Sequence, residues 1–388
     1  YNVITQPINV PITSIRKAAR PVRQPSPAQA LTWPTDTELV GVVLELAPAQ
    51  AYELYPQYTI GLHAWFLDQI RQMDPQLSAL MHDEQAEKAF TISGLEGSLL
   101  TKGRSFQVQA GQTYRWTITA LSQQVAQGLA QWLSQLPPVV ELRGAPLPIK
   151  RVAIALPPTT YATLWATGAT TDAATLSFVS PTSFRRRGQH FPLPVPANVF
   201  HSYLRRWNAF ADVEYDADLF WEWVEDTVLV LRHRLESMKV VAGKKGVVTA
   251  FTGAVEFGLS PKAQDDLEFE QLFYTLVQLA PYCGTGHKTT FGLGQTRLGW
   301  QPAEPPHVPS MQTMLVERIA ELTDLFIAQR QRTGGDRASN TAETWATILA
   351  RRELGESLQD VAADLSMNYE TVKTYVKLAR RALKESEL

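Results

Sequence analysis

The chain has 388 residues, long for one domain and enough for two or three. Hydrophobic residues make up 45% of it and charged residues only 19%, which excludes a disordered chain and predicts real buried cores. A net charge of -2 excludes any general attraction for polyanions, and the single Cys283 excludes an internal disulfide framework and a Cys-based zinc cluster. No apolar run reaches membrane-spanning length and no signal-peptide pattern is present, so a soluble cytoplasmic protein with no membrane partner is expected. Because the first residue is Tyr rather than Met, the natural start is expected to lie upstream.

Residues 1–37 carry six prolines and the cations Arg16, Lys17, Arg20 and Arg23, with no acidic residue before Asp36. Such an arm cannot bury enough apolar surface to fold alone and is expected to be extended. At 38-ELVGVVLELA-47 the pattern changes to a buried strand. In 59-TIGLHAWFLDQIRQM-73, Leu62, Trp65, Phe66, Ile70 and Met73 fall at helical spacing. Asp74-Pro75 then reads as N-cap and first residue of a second, short helix over 75-PQLSALMHD-83. Strand patterns follow at 89-AFTISGL-95, 105-SFQVQA-110 and 113-TYRWTITAL-121, then a helix over 122–135 and a strand at 139-VVELRG-144. In order this approaches a βαββαβ module, placing a first domain at 38–148.

A second unit, 149–300, repeats the theme with strands near 175–180, 227–241 and 247–259 and helices near 197–210 and 265–280. A Pro-rich linker covers 301–312, and 313–388 is helical in pattern. There, helices at 342–354, 357–365 and 369–385 follow a polar gap at 333–341, with Ser357 and Asn368 as N-caps and 366-SMN-368 as a tight turn. The last pair makes a helix-turn-helix whose second helix carries Lys373, Lys377, Arg380, Arg381 and Lys384. The expected fold class is therefore α+β: two tandem ferredoxin-like (βαββαβ, RRM-like) domains followed by an all-α helix-turn-helix region.

Four stretches carry candidate chemistry. In 283-CGTGHKTTFGLGQTRLGW-300, His287-Lys288-Thr289 breaks the spacing of a P-loop, and the loop ends a domain, where a dinucleotide fingerprint would open one. Two readings stay open for it. Gly284, Gly286, Gly292 and Gly294 serve tight turns, or they let backbone approach a phosphodiester with His287 and Lys288 as donors. The loop 180-SPTSFRRRGQHFPLPVPANVFHSYLRRWN-208 sets Arg185, Arg186 and Arg187 between Phe184 and His190, a composition that can pair with phosphates and stack on bases. Lys244 and Lys245 form a further cationic tip in 243-GKKG-246. Among seven histidines none has metal-site spacing, so neither a metal nor a cofactor is expected. His82 falls in the last turn of the short helix, where orphan carbonyls favour an imidazolium and hence a general acid. Lys88 follows as a candidate stabiliser of a pentacovalent phosphate, and His63 on the preceding helix can face the same cleft.

Three of these stretches resemble the CRISPR-associated endoribonucleases that cut repeat RNA into guide RNAs, members of the repeat-associated mysterious protein (RAMP) superfamily. They are 62-LHAWFLDQIRQMDPQLSALMHDEQAEKAFTISGL-95, with a D-P-x-L-x-x-x-L-H-like element and K-x-F-T-x-S, then 180–208, then the Gly-rich loop. The resemblance implies two ferredoxin-like folds whose cleft binds RNA. It also implies metal-independent cleavage, in which the 2′-hydroxyl attacks the adjacent phosphate. By position, His82 matches the family's catalytic histidine, Lys88 its transition-state lysine, and His63 a second active-site histidine of some members. Repeat RNA and its processed product are the implied partners, with other proteins of a CRISPR effector complex as further ones. A non-catalytic RNA-binding scaffold of the same superfamily is the alternative. The C-terminal region departs from the family and resembles the helix-turn-helix of sigma factors and response regulators. That likeness leaves DNA binding, docking on a complex, or packing as its roles, and a DNA-binding regulator as a third reading of the chain.

Overall fold

The computed structural model describes residues 31–82, 87–102, 105–168, 174–241, 247–301, 310–329 and 336–386. The first unit runs β1 (Leu39–Leu46), β2 (Tyr52–Leu54), α1 (Tyr58–Met73), α2 (Pro75–His82), β3 (Phe90–Ile92), β4 (Leu100–Lys102), β5 (Ser105–Val108), β6 (Tyr114–Ala120), α3 (Gln123–Ser134), β7 (Val139–Leu142) and β8 (Ala145–Thr159). Its main sheet has the order β3-β6-β1-β8-β7, in which β3, β6, β1 and β8 make the ferredoxin-like arrangement. β2, β5 and β4 form a small separate sheet. Asp74 Oδ1 accepts from the amides of Gln76 and Leu77 at 2.9 and 3.0 Å, which starts α2 one residue after α1 ends.

The boundary expected at 148/149 falls inside β8. That strand pairs antiparallel with β1 through Val43↔Ala153 and Leu44↔Val152, so 149–159 belongs to the first unit. The strand expected to close that unit, 139–144, is instead an edge hairpin. Arg143 and Gly144 take positive φ (20° and 85°) and fold β7 back onto β8. Of the arm expected over 1–37, residues 1–30 lie outside the described residues. Trp33 is buried against the first core and the Thr35 carbonyl accepts from the Gln123 and Gln127 side chains, so the end of the arm is docked.

The second unit comprises α4 (Tyr161–Thr167), β9 (Ala174–Thr182), β10 (Phe184–Arg186), β11 (Gln189–Phe191), α5 (Pro196–Phe210), α6 (Ala217–Thr227), β12 (Val228–Val241), β13 (Val247–Leu259), α7 (Leu267–Cys283) and β14 (Thr296–Leu298). Its sheet order β12-β13-β9-β14 repeats the ferredoxin-like order, and the Gly-rich stretch is the connection from α7 into its fourth strand. β1 is buried along nearly its whole length because it is covered on both faces, which is why it reads as a continuous apolar run. One covering element is α7 of the second unit, which lies against β1, β3 and β6. Beyond 302–309 come α8 (Met311–Gln329), α9 (Asp336–Glu353), α10 (Leu358–Asp364) and α11 (Tyr369–Ser386). The expected gap at 333–341 is thus helical from Asp336 onward.

The two units are joined by buried polar contacts as well as by apolar packing. Thr119 Oγ1 on β6 donates to the Tyr282 carbonyl at the end of α7 at 2.6 Å and shares a 2.7 Å bond with Thr91 Oγ1 on β3. Thr119→Val keeps the shape and removes the hydroxyl, leaving a buried carbonyl without its donor. Loss of about 1–3 kcal/mol in unfolding free energy is expected by denaturant titration, with little change in helical content.

Candidate active site

His63 lies on α1 next to the buried Leu62, on the flank that meets a single 3-10 turn at Thr289–Phe291 in the Gly-rich loop. Its Nδ1 is 2.9 Å from the Thr290 carbonyl oxygen. A carbonyl only accepts, so Nδ1 carries the proton and a neutral ring keeps its lone pair on Nε2. The ring stacks on Phe291 at 4.4 Å and lies 5.8 Å from Phe90. Burial pushes its pKa down to about 4, against the pull of the Thr290 bond and with smaller electrostatic contributions from the neighbouring His82 and Lys88.

His82 is the exposed last residue of α2, and its ring centroid is 6.4 Å from that of His63 in an edge-on arrangement. Residues 83–86 lie outside the described residues. Lys88 comes just before β3, close enough to His63 to depress its pKa. The three residues singled out from the sequence therefore meet in one place. Phe90 belongs to the K-x-F-T-x-S stretch and Thr290 and Phe291 to the Gly-rich loop, but nothing in the sequence assigned them to holding His63.

The four loop glycines are buried and face protein. A Cβ on Gly286 would stand 2.3 Å from the Ser183 carbonyl oxygen, one on Gly294 2.1 Å from that of Thr285, and one on Gly292 3.0 Å from the Gly94 amide. Gly284, with φ 65°, caps α7. Their glycine requirement is thus met by close packing inside the chain, and Gly292 bridges to Ser93 of the first unit. Arg206, beside the exposed Arg205, is buried. It donates to the Gly286 carbonyl and to the Ser202 carbonyl, each at 2.7 Å, while Ser202 Oγ accepts from the Gly286 amide at 2.9 Å. Arg205 pairs with Glu87 at 2.6 Å, and Arg297 with Glu96 at 2.8 Å, both joining the two units.

His287 donates from Nδ1 to the Ser183 carbonyl at 2.7 Å and stacks on His190 at 5.4 Å. Its pKa falls to about 4, and that of His190 is also lowered, in each case chiefly by burial. Lys288 is half-buried in a left-handed conformation, its pKa lowered by burial and by Arg185. Arg185, Arg186 and Arg187 are exposed on the β10–β11 hairpin, whose turn has Arg187 and Gly188 both at positive φ (50° and 81°). Arg185 donates to the Gly188 carbonyl and Arg186 lies over Phe191. Lys244 and Lys245 lie outside the described residues. Among the described residues no three His, Cys, Asp or Glu side chains gather as a metal set, and no helix is long and apolar enough to cross a membrane.

Two family models match: the Cas6 N-terminal domain over residues 40–169, and the CRISPR-associated endoribonuclease Cas6 over 176–296, together well over half of the chain. The chain belongs to the Cas6 family. Among solved structures it is similar to Thermus thermophilus Cas6 (TTHB231), at 25% identity and a TM-score of 0.53, over 68% of this chain and 99% of that one. A TTHB231 product complex matches at 25% identity and a TM-score of 0.56, over 67% of this chain and all of that one. A product complex of a second Cas6 (TTHA0078) matches at 26% identity and 0.51, over 67% and 99%. Comparison with curated sequences gives no match. The Cas6 models end at residue 296, so the four C-terminal helices lie outside the matched regions.

His63 and His287 have folded pKa values near 4, below the ordinary histidine value of 6.5. Between those pH values the unfolded chain binds more protons, so their contribution is whole above 6.5 and is lost as pH falls toward 4. Urea titrations from pH 7 to 4.5 should show stability declining with pH. The decline should be shallower in His63→Asn and in His287→Asn, and slopes equal to the parent's would contradict the assignment.

Proposed function

We propose that this Cas6 cuts CRISPR repeat RNA into guide RNAs by attack of a 2′-hydroxyl on the adjacent phosphate. The observation that carries the reading is the His63–His82 pair, two imidazoles 6.4 Å apart with Lys88 nearby. In this scheme His63 Nε2 takes the proton of the 2′-hydroxyl, whose oxygen forms the new bond to phosphorus. The bond to the 5′-oxygen breaks, and His82 gives that oxygen its proton. The products are a 2′,3′-cyclic phosphate, or the 3′-phosphate left when that ring is hydrolysed, and a 5′-hydroxyl. Lys88 offsets charge on the phosphorane oxygens. The neutral tautomer of His63, fixed by the Thr290 carbonyl, supports its role as base. All these steps proceed without a metal ion or a cofactor.

The exposed arginines of the β10–β11 hairpin, with Lys288 and with Lys244 and Lys245, provide the phosphate contacts. The Gly-rich loop acts behind them as the support of His63 and Lys288. Retention of the cut RNA for use in an effector complex is in keeping with two relatives solved with product bound.

Incubation with repeat RNA in excess EDTA, with mapping of the ends, tests the reaction. Cleavage should persist, a 2′-deoxy substitution at the cut nucleotide should abolish it, and His82→Ala should slow it by about 10²–10⁴-fold. Dependence on a divalent ion would overturn the mechanism. Unchanged function in His82→Ala would favour the non-catalytic scaffold. Replacing Arg185, Arg186 and Arg187 together by Ala should weaken RNA binding at least tenfold and lower the salt slope by about 2 for a single-stranded site, with single-turnover cleavage at saturating protein largely kept.

A further inference from the structure

The C-terminal helices carry a second surface that the RNA-processing reaction does not use. α9 is their centre, packing with α8 and α11 through Leu322, Phe326, Ala346 and Ala379, and with α10 and α11 through Ile348, Val361, Val372 and Val376. The turn between α10 and α11 is closed tightly. Ser366 takes φ 52°, the Met367 amide donates to the Ala362 carbonyl at 2.9 Å, and Asn368 Oδ1 caps α11 by accepting from the Glu370 amide at 2.9 Å. The angle and offset of the two helices are thereby held by covalent geometry, caps and a shared core.

With Val372, Val376 and Ala379 turned inward, the opposite face of α11 holds Lys373, Thr374, Lys377, Arg380, Arg381 and Lys384, all exposed. Five cations thus line one side of a helix, and Glu370, at its start, pairs with Lys373. On a chain of net charge -2 this is a local concentration, not a reflection of the whole. α11 has 18 residues, so it is about 27 Å long. A helix of that kind fits the major groove of B-form DNA, about 12 Å wide. The deep, narrow major groove of an RNA duplex does not admit it. The same helical region is anchored elsewhere: Met314 on α8 is buried in the core of the first unit, and Leu354 packs on that core.

We propose that the helix-turn-helix of residues 357–386 binds duplex DNA, with α11 in the major groove, independently of the RNA site. Lys373, Thr374 and Lys377 in its first half face base edges, and Arg380, Arg381 and Lys384 in its second half meet phosphates. Because the DNA has no 2′-hydroxyl, the full chain holds it without cutting it by the chemistry above.

The test uses the full chain and a fluorescently labelled 24-base-pair DNA duplex of mixed sequence, followed by anisotropy between 50 and 200 mM salt. Binding that weakens steeply with salt is expected. The Lys377→Ala/Arg380→Ala/Arg381→Ala variant should bind at least tenfold more weakly, with its salt slope reduced by about 2, near 0.9 for each of the phosphates no longer met by Arg380 and Arg381. Its repeat-RNA cleavage and circular dichroism should match the parent's, and unlabelled repeat RNA should not displace the duplex. No binding at 50 mM salt, or binding unaffected by the triple substitution, would overturn the proposal. Displacement by repeat RNA, or equal affinity for an RNA duplex of the same sequence, would overturn it as well, placing the DNA in the RNA groove or the contact outside a major groove.

Discussion

The candidate site depends on a close approach between backbones at residues 284–294. Gly286 and Gly294 admit the carbonyls of Ser183 and Thr285 where any Cβ would collide, and a Cβ on Gly292 would stand 3.0 Å from the Gly94 amide. That approach lets the loop leave α7, cross to the first unit and return to β14. On its way it presents the Thr290 carbonyl to His63 and lays Phe291 against the imidazole. Arg206 and Ser202 hold the loop from behind through the Gly286 carbonyl and amide. The tautomer of His63 is therefore set by a loop belonging to the other domain. Neither ferredoxin-like unit alone contains a complete site.

The electrostatics follow from where each group ends up. His63, under the loop and between two phenylalanines, loses water and stays neutral near physiological pH. His82, at the open end of α2, keeps contact with solvent. Two histidines in unlike surroundings are what opposite proton-transfer roles call for, since identical environments would give them the same protonation state. Around them the exposed cations lie on one hairpin, where they can engage a polyanion without destabilising a core. The cation that would have been costly to bury, Arg206, is satisfied by carbonyls and a hydroxyl.

What the sequence disclosed and what it hid divide along the range of the interactions. Strand and helix patterns report local burial, so the tandem ferredoxin-like units and the helix-turn-helix were legible, as was Asp74 starting α2 one residue after α1. The spacing of His63, His82 and Lys88 along two helices and a strand start was enough to bring them together. Which strand lies beside β1 is a long-range choice. The 139–144 pattern reads as the strand that closes the unit, yet the Arg143–Gly144 turn leaves it at the edge and β8 takes the place beside β1. The same limit applies to Arg205 and Arg206. Adjacent arginines on a helix look like surface, yet one spans the domain seam to Glu87 and the other is enclosed beneath the Gly-rich loop. Glycine density was equally ambiguous, because close approach to a ligand and close approach to one's own backbone demand the same residue.

The C-terminal helices are integrated with the rest of the chain by the same logic of shared burial. Met314 is 1% exposed within the first unit's core, and α8 lies against both β4 and β12, touching each ferredoxin-like unit. Inside the helical region, Arg318 pairs with the almost fully buried Glu353 at 2.9 Å, tying α8 to the end of α9. A carboxylate that deep is tolerable only while its guanidinium partner stays in place. The pair therefore fixes α9, and through α9 the turn before α11, relative to the helix that docks on the body. A basic face mounted this way has a set direction from the His63–His82 pair, so a nucleic acid held there and an RNA held at the proposed site would keep a constant geometry to one another.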